Sequence, residues 1–353
     1  MDGARRSPIA SGVLLAIASA FAFGATTPLV AVSGRGVGPL VTAALLYTGA
    51  AALSVVSRFV EGSTGRTFPR EAFARLVAIA FFGAALAPAL LVWGLSRAGA
   101  TASSLVLNLE AVFTVLLASI VYREHLGRRV ALAASVMLAG SLLVALDDAR
   151  GTSGLALSGL LAVAGATACW ALDNTLSRAL AELPPSDVVA AKGALGAALT
   201  LALAFLFGEP APELRRALAL GVLGATGYGL SLRLYLLSQR RIGAARTGSV
   251  FAAGPFVGAG LAWAMGDRHA SALTGFGAVL LAVGVALHLT ERHSHRHAHA
   301  AVEHEHAHRH DDGHHDHAHA PMPDGEHTHR HAHPHAEHTH AHLPDLHHGH
   351  DHD

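Results

Sequence analysis

Charged and amide side chains inside long apolar segments are the residues of this sequence that could do chemistry. Glu110 lies near the middle of one such segment, and Asp173 and Asn174 lie side by side in another. Lys192, the only lysine of the chain, and Arg233 lie in the two segments that follow. Because an ionisable group at bilayer depth is costly, each is a candidate site residue. These residue types bind polar or charged small molecules, or take up a proton.

Two interpretations stay open for each group. Glu110 either binds a cationic group or a coupling proton, or only accepts hydrogen bonds from neighbouring backbone and hydroxyl groups. Asp173 and Lys192 each lie about one helical turn from the same loop, so their depths match and an ion pair is expected. With Arg233 at a similar depth, the three form either a binding or gating cluster for a polar or anionic substrate, or a pair that fixes helix packing.

Histidine dominates the end of the chain, where 25 of the 27 histidines lie from His288 onward. Imidazole suits Zn, Ni, Co and Cu, so a divalent transition metal is the expected ligand of this tail. The tail lacks apolar residues and is expected to be disordered without a ligand. Alternatively, it is a low-complexity segment that changes its charge near pH ~6.5. The candidate ligands follow a His-x-His pattern and are His295, His297, His299, His304, His306, His308, His310, His327, His329, His331, His333, His335, His338, His340 and His342.

The body of the chain has the composition of an all-α integral membrane protein. Of all residues, 52% are hydrophobic and 14% are charged, whereas soluble domains average about 25% charged residues. Thirteen arginines fall in loops on the side of both termini and six on the other, which predicts that both termini are cytoplasmic in a bacterial-type inner membrane. The ten predicted spans, numbered 1 to 10, cover 9–32, 37–57, 74–96, 101–121, 130–147, 154–176, 188–207, 214–237, 244–265 and 271–289.

An internal duplication relates the two halves of the body. Gly83 and Gly227, Gly99 and Gly243, and Gly140 and Gly284 are each separated by 144 residues. Because each half contains five spans, an odd number, the halves must enter the membrane in opposite directions. We therefore expect inverted repeats over 8–147 and 154–290, a tail over 291–353, and a substrate site between the repeats near the midplane.

The stretch Gly99–Leu146 resembles the EamA repeat of the drug/metabolite transporter superfamily. The residues that resemble its motifs are Ala100–Ser104, Leu109-Glu110-Ala111, Glu124 and Ala139-Gly140 in the first copy, Gly254-Pro255, Asp267 and Gly284 in the second, and Phe23-Gly24 and Cys169-Trp170-Ala171 at the starts of the halves. Ala111 stands where proline is usual. In this alignment Thr26 and Thr27 match Asp173 and Asn174, and are expected to line the cavity.

The resemblance implies a secondary transporter that exports small polar metabolites or drugs by alternating access, with the tail binding divalent metal. The alternative is a Ni, Co or Zn efflux carrier whose tail collects the metal, although the spans show no paired metal ligands at helical spacing. A membrane-anchored metal store would leave the repeat and the buried charges unexplained. No nucleophile–base pair, phosphate loop or nucleotide fingerprint is present, which predicts no enzyme activity and no required cofactor. Membrane lipid, a small-molecule substrate and divalent metal ions are the expected partners, and zero net charge gives no reason to expect nucleic acid.

Overall fold

The structure is a computed structural model that describes residues 8–60, 68, 70–122, 127–151, 155–177, 180, 183–242, 244–268, 271–289, 293–299, 302–308, 327–333 and 336–342. Two compact units divide the chain, one up to Glu291 and one from Arg292 onward. The first unit, the body, consists of helices, and the second, the tail, contains four strands.

The body follows the expected order of spans. The first repeat contains α1 (Pro8–Ser33), α2 (Pro39–Val60), α3 (Arg70–Ile79), a π-helical segment (Ala80–Leu86), α4 (Ala87–Leu95), α5 (Ala100–Val106), α6 (Leu109–Tyr122) and α7 (Arg128–Gly151). The second contains α8 (Ala156–Ser177), α9 (Pro185–Leu206), α10 (Leu214–Gly224), a second π-helical segment (Ala225–Leu230), α11 (Ser231–Ile242), α12 (Ala244–Phe251), α13 (Gly254–Ala264) and α14 (Ala272–Leu289).

Local sequence explains where these helices begin and end. Pro39 and Pro185 begin α2 and α9, at positions where the missing N–H costs nothing. Gly208 and Gly266 follow α9 and α13 with φ of 72° and 104°, a backbone conformation that other residues rarely adopt. Between these ends the apolar runs are helical, because a helix satisfies its own backbone hydrogen bonds inside lipid.

The spans are long and apolar enough for a bilayer. Within the described residues, nine stretches qualify by length and composition. The tenth expected span consists of the shorter helices α12 and α13. Large apolar side chains such as Phe205, which is 88% exposed, cover the outer surface, as contact with lipid tails requires. We call the side where α1 begins and α14 ends the terminal side, and the other the opposite side.

The two repeats share their irregularities as well as their helices. The π-helical segment of span 3 recurs in span 8 at nearly the same 144-residue offset. Span 4 is interrupted at Leu107–Asn108 and span 9 at Ala252–Ala253. Ala111 therefore does not prevent a break in span 4, since the interruption precedes it and Asn108 donates from Nδ2 to the Leu105 carbonyl at 3.0 Å.

Glycine contacts between α7 and α14 have the same two-fold relation. A Cβ on Gly140 would approach the Gly277 carbonyl and Leu281, whereas one on Gly284 would approach the Ala133 carbonyl and overlap Met137. The two sets are equivalent under the 144-residue relation, because Gly140 corresponds to Gly284, Ala133 to Gly277 and Met137 to Leu281. Close backbone approach at small residues drives helix association in lipid, where burial of apolar surface gives no advantage. The all-α fold of ten spans in two inverted five-helix repeats is thus confirmed.

The described part of the tail contains four strands. The strands β1 (His293–His299), β2 (Val302–His308), β3 (His327–His333) and β4 (Ala336–His342) form two antiparallel ribbons, β1 with β4 and β2 with β3. The His-x-His pattern repeats every two residues, which is the period of an extended strand. Lack of apolar residues excluded a packed core, but it did not exclude backbone pairing between such repeats.

Candidate functional site

A cavity of about 290 Å³ lies in the terminal-side half of the body. Its walls come from both repeats, mainly from the interrupted spans 4 and 9 and from the terminal-side part of α14. Glu110 is the carboxylate that lines it, while its polar neighbours in the wall are Asn108, Thr114, Tyr235 and His288. The apolar lining residues are Phe23, Leu107, Ala111, Val115, Met137, Gly248, Phe251, Ala252, Pro255, Val285 and Leu289.

Glu110 is connected to α8 by a hydrogen bond. Asn174 donates from Nδ2 to Glu110 Oε1 at 2.8 Å. Glu110 sits in the first turn of α6, directly after the interruption of span 4, where the free N–H groups of a helix favour a negative charge. The break in the helix therefore helps to hold a carboxylate at this depth.

The adjacent residue of α8 carries the second carboxylate. Asp173 is 3% exposed and forms the expected ion pair with Lys192 of α9. Ser177 also donates to Asp173, with 3.2 Å between the two oxygens. Gly83 of the first π-helical segment makes room for this carboxylate, because any Cβ at Gly83 would overlap it.

The carboxylates and the ammonium group form one cluster with an uncompensated charge. Asn174, which donates to Glu110, is adjacent in sequence to Asp173, and Asp173 pairs with Lys192, so the three charged groups lie in one neighbourhood. Two carboxylates and one ammonium sum to one negative charge when all are ionised. A cationic group or a proton bound at Glu110 would neutralise it.

The remaining predicted site residues lie elsewhere. Arg233 donates from Nη1 to Ser57 Oγ of α2 at 2.9 Å. Thr26 is buried against Gly227 of the second π-helical segment and donates to the Ala22 carbonyl at 2.8 Å. Thr26 and Thr27 line neither of the two cavities described here, contrary to the expectation that they face one.

An aromatic cluster lies beside the charged cluster. Tyr228 stacks on Tyr47 with ring centroids 5.3 Å apart, and contacts Trp170 and Phe23 at 6.3 and 6.4 Å. Tyr47 Oη and Trp170 Nε1 both donate to the Gly83 carbonyl, at 2.6 and 3.0 Å. These two bonds satisfy the Gly83 carbonyl. In a π-helix its backbone partner would be five residues on, at Pro88, which has no N–H to donate.

The second cavity, of about 830 Å³, lies in the opposite-side half. It is formed by the ends of α1, α4 and α13 and the start of α5, with Arg35, Arg97 and Asp267 in its wall. The described lining residues of the two cavities do not overlap. Between the two cavities, Gly24 of α1 packs closely against α13. A Cβ on Gly24 would overlap the Gly254 carbonyl, and a Cβ on Gly258 would lie 2.6 Å from the Gly24 carbonyl.

Carboxylates bind helix N-termini across the opposite side. Asp267 accepts a hydrogen bond from the Thr101 N–H at 2.7 Å, and Asp148 from the Gly99 N–H at 3.3 Å. Asp147 accepts four from the first turn of α14, and Glu209 accepts two from the start of α2. Each contact joins two spans by a charge at a helix N-terminus, so this end of the body is held together.

Three lining residues of the first cavity have repeat-equivalents that are buried. Met137 corresponds to Leu281, which is 0% exposed. Tyr235 corresponds to Leu91, at 1%, and Val115 to Ala259, at 7%. They pack together in the largest apolar core of the body. The repeats share a backbone plan, but these three lining positions correspond to packed positions under the 144-residue relation. We call the packed region around Leu91, Ala259 and Leu281 the filled half, and the second cavity is not lined by these three residues.

Unpartnered hydroxyls lie in that filled half. Ser104 and Ser141 are the repeat-equivalents of the lining residues Gly248 and Val285, and both are buried. Their Oγ atoms make no hydrogen bond with the described part of the protein. An unpaired buried polar atom is rare in a folded protein and calls for an explanation.

The metal-ligand predictions concern the tail. Most of the predicted histidines lie on the four strands, while His310 and His335 lie outside the described residues, as does Glu124. In register, His295 is opposite His340 and His306 is opposite His329. In the parts of the chain that the structure describes, no three His, Cys, Asp or Glu side chains form a group that could hold a metal ion.

Sequence reasoning missed the cavity's aromatic wall. Tyr235 and Phe251 face each other with centroids 5.0 Å apart, and Phe251 contacts Phe23 at 5.3 Å. Aromatic residues in spans are usually packing or interface residues, and periodicity cannot tell those from cavity residues. Phe251 directly precedes the interruption of span 9, and this position could be known only after that interruption was located.

Comparison with known proteins agrees with this architecture. An uncharacterized transporter of Methanothermobacter thermautotrophicus is 26% identical over 238 residues, which cover 66% of this chain and 68% of that protein. A known crystal structure matches 79% of this chain and 98% of its own with a TM-score of 0.60 and 23% identity, a likeness of fold alone. The EamA-like transporter family model matches residues 10–146 and 157–290, one match for each repeat. The chain is therefore a multi-pass membrane protein and belongs to the EamA-like transporter family.

Proposed function

We propose that this protein is a secondary transporter that exports small polar metabolites or drugs by alternating access between its inverted repeats. The observation that carries the proposal is the asymmetry of the cavity. Glu110 and its neighbours line an open cavity on the terminal side, while Leu281, Leu91 and Ala259, the repeat-equivalents of the lining residues Met137, Tyr235 and Val115, are packed in the core.

Inverted repeats allow the open and the filled half to exchange roles. In the alternate state, the terminal-side cavity closes and a cavity opens around Leu91, Ala259 and Leu281. The unpartnered hydroxyls of Ser104 and Ser141 support this exchange, because they would gain water or substrate as partners in that state. The glycine contacts of Gly24 with α13 would open at the same time.

The direction of transport follows from the orientation that we propose. The arginine bias places the termini in the cytoplasm of a bacterial inner membrane, so the Glu110 cavity loads from the cytoplasm. Exchange of the substrate for a proton at Glu110 would couple export to the proton gradient. The transport itself requires no catalytic residue or cofactor.

Labelling of single cysteines tests the exchange. In a Cys169→Ala background, Thr114→Cys lies in the open cavity and Ser141→Cys in the filled half. We expect a membrane-impermeant maleimide to modify Thr114→Cys from the cytoplasmic side at rest. Ser141→Cys should react only during turnover, and from the periplasmic side.

Modification of both cysteines from one side would refute alternating access. Equal labelling of Ser141→Cys with and without substrate would also refute it. Leu161→Cys, at a position that is 64% exposed on the outer surface, controls for reagent that enters the lipid. Substrates for the turnover condition come from a panel of metabolites and drugs tested for counterflow in proteoliposomes.

We further propose that the tail binds divalent transition metal as an accessory buffer or sensor. The backbone register supports this, because it pairs histidine with histidine at three positions of each ribbon. Calorimetric titration of the full chain with NiCl₂ or ZnCl₂ should give tight binding that deletion of residues 292–353 abolishes. Unchanged binding after that deletion would contradict the proposal.

Export of the metal itself is not favoured. The described residues of the body hold no group of three metal ligands that could form a path. Loss of metal tolerance in a deletion strain, rescued by the full chain but not by the chain without its tail, would reverse this preference.

A further inference from the structure

We infer that the Glu110 cavity selects small amphipathic amines, compounds with an apolar or aromatic body and one cationic nitrogen. The inference rests on the proposed transport function and specifies its substrate class. It depends on the charge balance of the cluster, the unused capacity of the Glu110 carboxylate, and the chemistry of the walls.

The charge balance favours a cation. Lys192 is already paired with Asp173, so the negative charge of Glu110 is left over. Among the described residues that line the cavity there is no lysine or arginine. His288, at the mouth, is the titratable base of the wall and has interactions of its own. An anionic ligand would meet this excess charge in a medium of low dielectric, where repulsion is strong.

The Glu110 carboxylate has capacity to bind a ligand. An ionised carboxylate can accept about four hydrogen bonds. Among the described residues, Asn174 is the donor to Glu110, through Oε1. A primary or secondary ammonium group would donate to the remaining acceptor positions, and such charge-assisted bonds are stronger than neutral ones.

The walls fit the rest of such a molecule. Phe23, Phe251 and Tyr235 form a continuous aromatic surface, with successive ring centroids 5.3 and 5.0 Å apart. Aromatic faces attract ammonium groups and also bury apolar carbon. Met137 and Val115 supply further apolar contacts. The volume of about 290 Å³ lies at the small end of ligand sites, which favours compact molecules.

Three probes of matched size and different charge test the inference. They are 2-phenylethylammonium, 2-phenylethanol and 3-phenylpropionate, measured by equilibrium binding to the full chain in nanodiscs. We expect the cation to bind at least about tenfold more tightly than the alcohol, and the anion to bind most weakly. Empty nanodiscs correct for partitioning into lipid.

The variant Glu110→Gln should reduce the preference for the cation over the alcohol to about onefold. Glu213→Gln is the matched control, because Glu213 is exposed and outside the cavity; it should leave the preference unchanged. If Glu110→Gln does not fold, Glu110→Asp serves instead. Shortening the side chain by one methylene should weaken binding of the cation severalfold while it spares the alcohol.

Counterflow in proteoliposomes separates this inference from the proposed function. Transport of the alcohol or the anion, or of other panel compounds but not the amine, would overturn the substrate class and leave the transporter standing. A preference for the cation that survives in Glu110→Gln would also overturn it. Failure of every compound, the amine included, in counterflow would count against the transport proposal as well.

Discussion

Replacing Lys192 with methionine tests how the charged cluster is balanced. Lys192 pairs with Asp173, which is 3% exposed. Glu110 accepts a hydrogen bond from Asn174, the neighbour of Asp173, and is therefore in the same charged cluster. In Lys192→Met the cluster keeps two carboxylates and no cation. In Asp173→Asn it keeps Glu110 and Lys192, whose charges oppose each other.

The two single changes should therefore differ in cost. Removing one partner of a buried ion pair destabilises a protein by about 3–5 kcal/mol. We expect Lys192→Met to reach this range, since Asp173 is left beside a second carboxylate. For Asp173→Asn we expect roughly half of that loss, because Glu110 can still compensate Lys192.

Unfolding of the purified protein in mixed micelles, followed by circular dichroism against added SDS, measures both free energies. Arg215→Met is a control at an exposed position and should change stability by no more than about 0.5 kcal/mol. Equal losses for the two variants, or a larger loss for Asp173→Asn, would show that Glu110 does not share a charge balance with the pair.

Two further changes test the packing around the site. Gly258→Ala would place a Cβ 2.6 Å from the Gly24 carbonyl, and we expect it to lower the free energy of unfolding by about 1–3 kcal/mol and to slow transport. Gly260→Ala, on the same helix with open space around it, is the control. This control should match the parent protein in both melting and transport assays. Asp147→Ala removes the acceptor of four hydrogen bonds from Ser271 and Thr274 at the start of α14. We expect the free energy of unfolding measured in the SDS titration to fall by about 2–3 kcal/mol. An unchanged unfolding midpoint would show that water replaces the carboxylate.

The plan of the body could be predicted because its signals are repeated along the chain. Apolar runs of sufficient length defined the spans, and the glycine pairs at a 144-residue offset defined the duplication. Gly140 and Gly284, one of these pairs, are now seen at close contacts between α7 and α14. The ion pair of Lys192 with Asp173 could also be predicted, because a short loop fixes the relative depth of two neighbouring spans.

The cavity could not be predicted because it depends on contacts between distant spans. The Asn174–Glu110 hydrogen bond joins residues 64 positions apart, and no local pattern indicates it. Arg233 was assigned to the cluster from its depth alone, but rotation about the helix axis turns it toward Ser57. Depth follows from position in the sequence, whereas the direction of a side chain follows from tertiary packing.

The chemistry of the site has diverged on a backbone that has not. Glu110 and Gly254 occupy equivalent positions of the two repeats, and Asp173 and Thr26 occupy equivalent pockets beside Gly83 and Gly227. The glycines, the π-helical segments and the span interruptions occur in both copies, and these features govern how helices approach and separate. Each carboxylate occurs in only one copy, Glu110 in the first repeat and Asp173 in the second. In the alternating-access cycle that we propose, a symmetric backbone would let the two halves exchange conformations at similar free energy. A carboxylate present in one copy would give both states the same binding group, so the exchange of conformation and the selection of substrate would depend on different residues of the chain.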